Sequence, residues 1–227
     1  MVQYPVSEDL PRLYRTRFSP QERARKHALW KVFCEQFLQR YVEPMDTVVD
    51  LGAGYGEFIS HIRCARKYAV DLNDETEHAV GPDVTFLKRR AFELPEIPSG
   101  SVDVVFSSNF FEHLPTKDDL MATLREARRM LRPGGRLLVL QPNIRFAFRE
   151  YWDYLDHHIA LSHESMAEAL EVAGFRVIEV RPRFMPYGTK ARLPQSPFLL
   201  SIYLRIGPLQ WLLGKQMFFV AVPTELG

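Results

Sequence analysis

Asp50 and Asp71 stand 21 residues apart, and Gly52, Gly54 and Gly56 follow the first of them. That separation is about one strand, turn and helix, which puts the two acids at the tips of neighbouring strands. A carboxylate at such a tip can accept both hydroxyls of a ribose. The glycines permit positive φ and let a flat or charged ligand approach with no Cβ in the way. The other role open to Asp71 is a cap on the following helix, with Asn73 and Asp74 close by. Two histidines next to acids, His113 after Glu112 and His157 after Asp156, bring proton-transfer chemistry, because an imidazole titrates near pH 6.5, on the order of neutrality. A structural role stands beside each: His113 pinning its turn, His157 bracing the helix that begins after Ser162.

These side chains need a scaffold, and its pieces are visible. Thr47–Leu51 is a short β-branched run that reads as a buried strand, entering a helix from Glu57 to about Cys64 after the glycine turn. Further strands are expected at Tyr68–Asn73, Val84–Leu87, Ser101–Asn109, Arg136–Leu140, Phe175–Val180 and Met217–Val222. Several are nearly continuous in apolar residues, as parallel strands covered on both faces are. Ser19-Pro20-Gln21-Glu22 is a helix start with a capping box, and Leu29, Trp30, Phe33, Phe37, Leu38 and Tyr41 carry that helix to about Val42. A second amphipathic helix spans Asp118–Leu131 and stops at Arg132-Pro133-Gly134-Gly135. Strand, turn and helix in repeated order predict an α/β, doubly wound, mostly parallel sheet with its ligand at the carboxyl ends of the strands.

The chain has 227 residues, 46% apolar and 25% charged, enough for one full α/β domain. A net charge of +1 gives no broad basic field, so no nucleic-acid partner is expected. Cys34 and Cys64 form neither a C-x-x-C pair nor a metal cluster; no metal is expected, and the default is a reducing, cytoplasmic setting. Met1–Leu10 has no apolar leader. Phe198–Leu213 is apolar but broken by Arg205, Gly207 and Pro208, too short to span a bilayer.

Asp50-Leu51-Gly52-Ala53-Gly54-Tyr55-Gly56 resembles motif I of the class I S-adenosylmethionine-dependent methyltransferases, and Asp71-Leu72 is similar to their motif II. The Asp103-Val104-Val105 strand with its Glu112-His113-Leu114 turn, and Leu131-Arg132-Pro133-Gly134-Gly135-Arg136-Leu137, continue the likeness, which runs from Val48 to Val222 and is strongest up to Leu140. It implies a Rossmann-like seven-stranded sheet of order 3-2-1-4-5-7-6 with an antiparallel last strand and helices on both faces. It also implies a single domain over 1–227: a cover in 1–44 with Tyr14, Arg17 and Phe18 as a lid, a cofactor-binding core in 45–180, a substrate-side insertion in 181–216 and a last strand in 217–227. The implied cofactor is S-adenosylmethionine, with S-adenosylhomocysteine as product. By the same likeness Asp50 meets its methionine end, and Gly52, Ala53, Gly54 and Gly56 pass beneath it. Asp71 and Leu72 meet its ribose, Ala91 and Phe92 its adenine edge, and Asn109 and Phe110 flank methyl transfer. Where many members carry an aspartate that accepts from the adenine amino group, this chain has Arg90.

Methyl transfer from a sulfonium is an in-line displacement, so the protein mainly aligns the acceptor and removes a proton when the acceptor is a hydroxyl. Asp156-His157 followed by Leu161-Ser162 and a helix ending Ala173-Gly174-Phe175 resembles a small-molecule subset in which the histidine faces the active site. The expected activity is O-methylation of a sugar, a nucleotide- or lipid-linked sugar, or a secondary metabolite. Other readings are a cofactor-binding protein without transferase activity, an N-methyltransferase of an amino sugar, and an NAD-dependent enzyme. Arg181, Arg183, Lys190 and Arg192 among aromatics and prolines suggest an anionic acceptor bearing phosphate or pyrophosphate. Ile202, Leu204, Leu209, Trp211 and Leu212 either rest on a membrane, such as the inner membrane surface, or are buried or make a dimer contact.

Overall fold

A computed structural model describes residues 19–187 and 196–224. Ser19 accepts from the Glu22 amide while the Glu22 carboxylate accepts from the Ser19 amide, so the expected capping box starts α1 (Pro20–Gln36). The α-helix ends six residues before Val42. Leu38, Tyr41 and Val42 are all buried, and a tighter 3-10 turn at Leu38–Tyr41 turns them inward.

The remaining order is β1 (Thr47–Leu51), α2 (Glu57–His61), β2 (Arg66–Asp71), α3 (Glu75–Ala79), β3 (Val84–Lys88), β4 (Val102–Ser108), α4 (Lys117–Met130), β5 (Leu131–Pro142), α5 (Ile144–Tyr151), α6 (His163–Val172), β6 (Phe175–Arg181), α7 (Pro197–Arg205), α8 (Gly207–Leu213) and β7 (Gln216–Pro223). The strands form one sheet, β3-β2-β1-β4-β5-β7-β6, as expected. All pairs are parallel except those of β7, which runs antiparallel to both neighbours, with Leu140 opposite Phe218 and Val180 opposite Phe219. Ser162 caps α6 as expected. Helix α2 stops at His61 rather than Cys64, because Ile62 leaves the helix in an extended conformation and is buried. The Arg-Pro-Gly-Gly stretch is not a free turn: β5 already begins at Leu131, opposite Val102, and a register shift between Val102 and Val104 absorbs the extra residues.

Alternate strand residues point to opposite faces. Val49, Leu51, Val105 and Leu137 pack against Leu120 and Leu124 of α4 and Met166 and Leu170 of α6. Val48, Phe106, Leu138 and Phe218 pack against Phe33 and Phe37 of α1, Phe58 of α2, and Leu200 and Tyr203 of α7. Phe184 joins these last elements: fully buried, its ring lies 4.4 Å from Phe37 and 5.6 Å from Phe218, and its amide donates to the Gln216 carbonyl at 2.7 Å. Phe184→Ala is expected to destabilise the fold by about 3–5 kcal/mol, read as a lower urea midpoint at unchanged slope.

Candidate active site

Strand β1 ends in the glycine loop, which folds back over β2: the amides of Gly52 and Ala53 both donate to the Val70 carbonyl, at 2.9 and 3.1 Å. Gly52, Gly54 and Gly56 all have positive φ, between 56° and 71°. The reason for two of them is packing rather than ligand access. A Cβ on Gly52 would lie 2.4 Å from the Phe110 ring, and one on Gly56 2.5 Å from Val80. Asp71 at the tip of β2 is tied to this loop, accepting from the Gly54 amide at 2.7 Å and from the Asn73 amide at 2.8 Å. Thr76 at the start of α3 closes the ring by donating to the Gly54 carbonyl at 2.6 Å.

A cavity of about 170 Å³ opens at the carboxyl ends of β1, β2 and β4. Gly52, Asp71, Leu72, Ala91, Phe92, Asn109 and Phe110, all expected at a cofactor, line it together with His113. Asp50, Ala53, Gly54 and Gly56 are not in that wall; they form the loop's own turn and the strand beneath it. Asn109, at the tip of β4, has a φ of 48°, an uncommon value for a residue with a side chain. It is held there by an amide donated to the Leu140 carbonyl and by Gln216 Nε2, which donates to its Oδ1 at 2.9 Å. Arg90, in the place of the usual adenine acceptor, lines the cavity with its guanidinium 5.8 Å from the Phe92 ring centre.

The floor of the loop is acidic. Asp50 is buried, and burial, followed by the nearby charges of Glu57 and Asp71, pushes its carboxyl well above the usual carboxylate range. Asp71 is also raised by burial, against the pull of the Asn73, Gly54 and Leu72 amides. Glu57 is paired with Lys26 at 2.8 Å. Three carboxylates converging on one glycine turn suit a cationic ligand and oppose a pyrophosphate, the reverse of what a dinucleotide loop provides.

The histidines are arranged differently from their order in sequence. His113 ends the 3-10 turn Phe111–His113 after β4, and its Nδ1 lies 3.1 Å from both the carboxylate and the carbonyl oxygen of Asp156. Burial works against a charge on this ring, but the Asp156 hydrogen bond and the charges of Glu112 and Asp156 outweigh it, and the His113 pKa is raised. Asp156 thus serves His113, 43 residues before it in the chain. His157 is 7% exposed and does not line the cavity; its ring stacks on Tyr154 at 4.9 Å and lies against Tyr151 and the back of His113. His158 is exposed and lines the cavity, and its amide, donating to the Glu112 carbonyl at 2.7 Å, straps this segment to the turn. His163 sits at the start of α6, with Asn143 Nδ2 3.0 Å from its Nδ1.

Glu112 was missed as part of the site. It is 1% exposed, takes a hydrogen bond from Gln141, and has its carboxyl raised by burial. Single donor atoms of Glu112, His113 and His157 lie within 4.8 Å of one another, a compact Glu-His-His cluster. The Glu-His pair at a strand tip was the available signal.

Two cations of the cation-rich segment, Arg181 and Arg183, are used internally. Arg181 pairs with Glu179 at 2.7 Å and covers the Phe37 and Phe184 rings, while Arg183 donates to the Gly214 and Leu212 carbonyls at the end of α8. Lys190, Arg192, Tyr14, Arg17 and Phe18 lie outside the described residues.

Residues 49–139 match the methyltransferase domain family. The 27-O-demethylrifamycin SV methyltransferase of Amycolatopsis mediterranei is 35% identical over 104 residues, covering 40% of this chain and 37% of that relative. A ubiquinone/menaquinone biosynthesis C-methyltransferase of Hahella chejuensis is 30% identical over 129 residues, 51% of this chain and 49% of its own length. The chain therefore spans half or less of these curated relatives. A solved S-adenosylmethionine-dependent methyltransferase from Archaeoglobus fulgidus shares the fold at a TM-score of 0.66 with 21% identity, over 86% of this chain and 94% of that one. The matched segment contains the glycine loop, both strand-tip acids and the Glu-His turn, and the strand order is that of the same fold: residues 49–139 are a methyltransferase-domain segment by sequence, and the sheet around them has the fold of solved S-adenosylmethionine-dependent methyltransferases.

Proposed function

We propose that this protein transfers a methyl group from S-adenosylmethionine to a hydroxyl of a small molecule, a sugar or a secondary metabolite. The observation that carries the reading is the convergence of Asp50, Glu57 and Asp71 on the glycine loop, with the His113–Asp156 pair in the wall of the same cavity. When bound, the cofactor supplies an electrophilic methyl on a positively charged sulfur. Asp50 and the loop answer that charge, and Asp71 holds the ribose. His113 takes the acceptor's proton at Nε2, since Nδ1 is held by Asp156; His157 and Tyr151 wall the ring in from behind. A raised histidine pKa suits a hydroxyl acceptor, which must lose a proton as the methyl arrives. Arg181 and Arg183 are occupied elsewhere, so the sequence argument for a phosphate-bearing acceptor rests on other cations, and a lipid- or nucleotide-linked sugar is the narrower form of this reading.

Calorimetric titration with S-adenosylmethionine, S-adenosylhomocysteine and NAD tests it: the sulfonium compound and its product bind, NAD does not. Because the Asp50 carboxyl lies above its ordinary range, and a cationic ligand favours its ionised form, binding is expected to release protons and to tighten as pH rises. Titration in buffers of different ionisation heat reads that release directly. Binding of NAD alone, or proton uptake with the cofactor, rejects the assignment.

A further inference from the structure

Helices α7 and α8 turn some apolar side chains inward and others out. Leu200, Tyr203 and Gln210 are buried, and Tyr203 donates to the Phe184 carbonyl at 2.5 Å. Phe198 is 71% exposed and Trp211 69%, with Ile202 and Leu212 exposed beside them. Helix α5 adds exposed Phe148, and Trp152 just past its end is exposed too. The two groups adjoin: the Arg183 guanidinium lies 4.6 Å from the Phe146 ring of α5 and 5.4 Å from the Trp211 ring of α8, and Lys215 pairs with Glu150. The core does not need these outward rings, and a contiguous apolar face of this kind marks a contact.

Charge says what the contact is. Arg149, 5.6 Å from the exposed Phe148 ring of α5, and Arg205 at the end of α7 are both exposed among these rings, while Glu150, the acid of α5, is paired with Lys215. A second copy of the same face would bring cations against cations. Tryptophans with arginines among aliphatics are the composition of an interfacial element on an anionic bilayer, where the rings sit at headgroup depth and the cations meet lipid phosphate. No helix among the described residues is long and apolar enough to cross a membrane, so contact is at the surface. Position matters too. The segment leaving α5 past exposed Trp152 supplies Asp156 and His158 to the cavity wall, and Gln216, one residue beyond Lys215, bonds Asn109 in that wall.

We propose that the α5, α7 and α8 face docks on an anionic lipid bilayer, so that a lipid-linked acceptor reaches the cavity from the membrane surface. What enters the cavity rests on the methyl-transfer reading; the docking does not. The full chain is sedimented with vesicles of phosphatidylcholine alone and of phosphatidylcholine mixed with phosphatidylglycerol. It should pellet with the mixed vesicles, with a blue shift in tryptophan emission, and progressively less as salt is added. Phe198→Glu combined with Trp211→Glu should reduce vesicle binding at least about tenfold while leaving S-adenosylmethionine affinity and the unfolding temperature unchanged, and Arg205→Glu should weaken binding to the anionic vesicles only. No pelleting with either vesicle, equal pelleting with both, or a concentration-dependent dimer abolished by the paired substitution overturns the proposal. Cofactor titration on the same samples keeps the two readings apart, because lost vesicle binding with intact cofactor binding defeats this inference alone.

Discussion

Asp71→Ala is expected to weaken S-adenosylmethionine and S-adenosylhomocysteine binding by about 10²- to 10⁴-fold. A carboxylate that accepts from both ribose hydroxyls makes two charge-assisted bonds, each worth about 1.5–3 kcal/mol, and each 1.4 kcal/mol, on the order of one such bond, is a factor of ten. The same carboxylate already holds the Gly54 and Asn73 amides, so its loss also loosens the glycine loop. Those two effects separate with a ligand lacking a ribose hydroxyl. If Asp71 grips the sugar, the native chain discriminates against the deoxy analogue of S-adenosylhomocysteine and the variant does not. Discrimination that survives in Asp71→Ala would show that the residue only shapes the loop. Asp71→Asn keeps one acceptor oxygen and should fall between the two in affinity.

The scaffold of this site was legible because its signals are local. A β-branched run ending in glycines can only be a buried strand feeding a turn, and β1 is found at Thr47–Leu51 as read. The ends of elements were less legible because burial sets them: Leu38, Tyr41 and Ile62 leave their helices to reach the core, which no cap or breaker in the sequence announces. The antiparallel position of β7 came from family likeness, since its apolar run looks like any parallel strand. Proton chemistry was legible in kind but not in pairing. Asp156 and His157 adjoin in sequence, yet the carboxylate turns to His113, 43 residues away, and the ring of His157 packs among tyrosines. Two cations of the insertion were not legible in their pairing for a related reason. A guanidinium has five donors and finds carbonyls and carboxylates within its own fold, as Arg183 does at the end of α8 and Arg181 does at Glu179.

That unforeseen pairing gives the largest kinetic expectation. His113→Ala should lower kcat by about 10²- to 10⁴-fold for a hydroxyl acceptor, the usual worth of a positioned proton acceptor, with cofactor affinity nearly unchanged. The pH dependence carries the finer test. A base must be neutral to accept a proton, and His113 is raised above its ordinary value by the Asp156 hydrogen bond and the Glu112 and Asp156 charges. The rate should therefore climb along a limb centred above pH about 6.5, and the stability contributed by the protonated pair, complete below that pH, should fade as pH rises through the same limb. Asp156→Asn removes the negative charge that favours protonation while leaving an amide oxygen and the main-chain carbonyl beside Nδ1. The His113 pKa should then fall, moving the limb to lower pH while the plateau rate drops, because the imidazolium formed as the proton arrives has lost its countercharge. A merely structural Asp156 would lower the plateau and leave the limb in place, and a limb that persists in His113→Ala would pass the proton to another group of the cluster, Glu112 or His157.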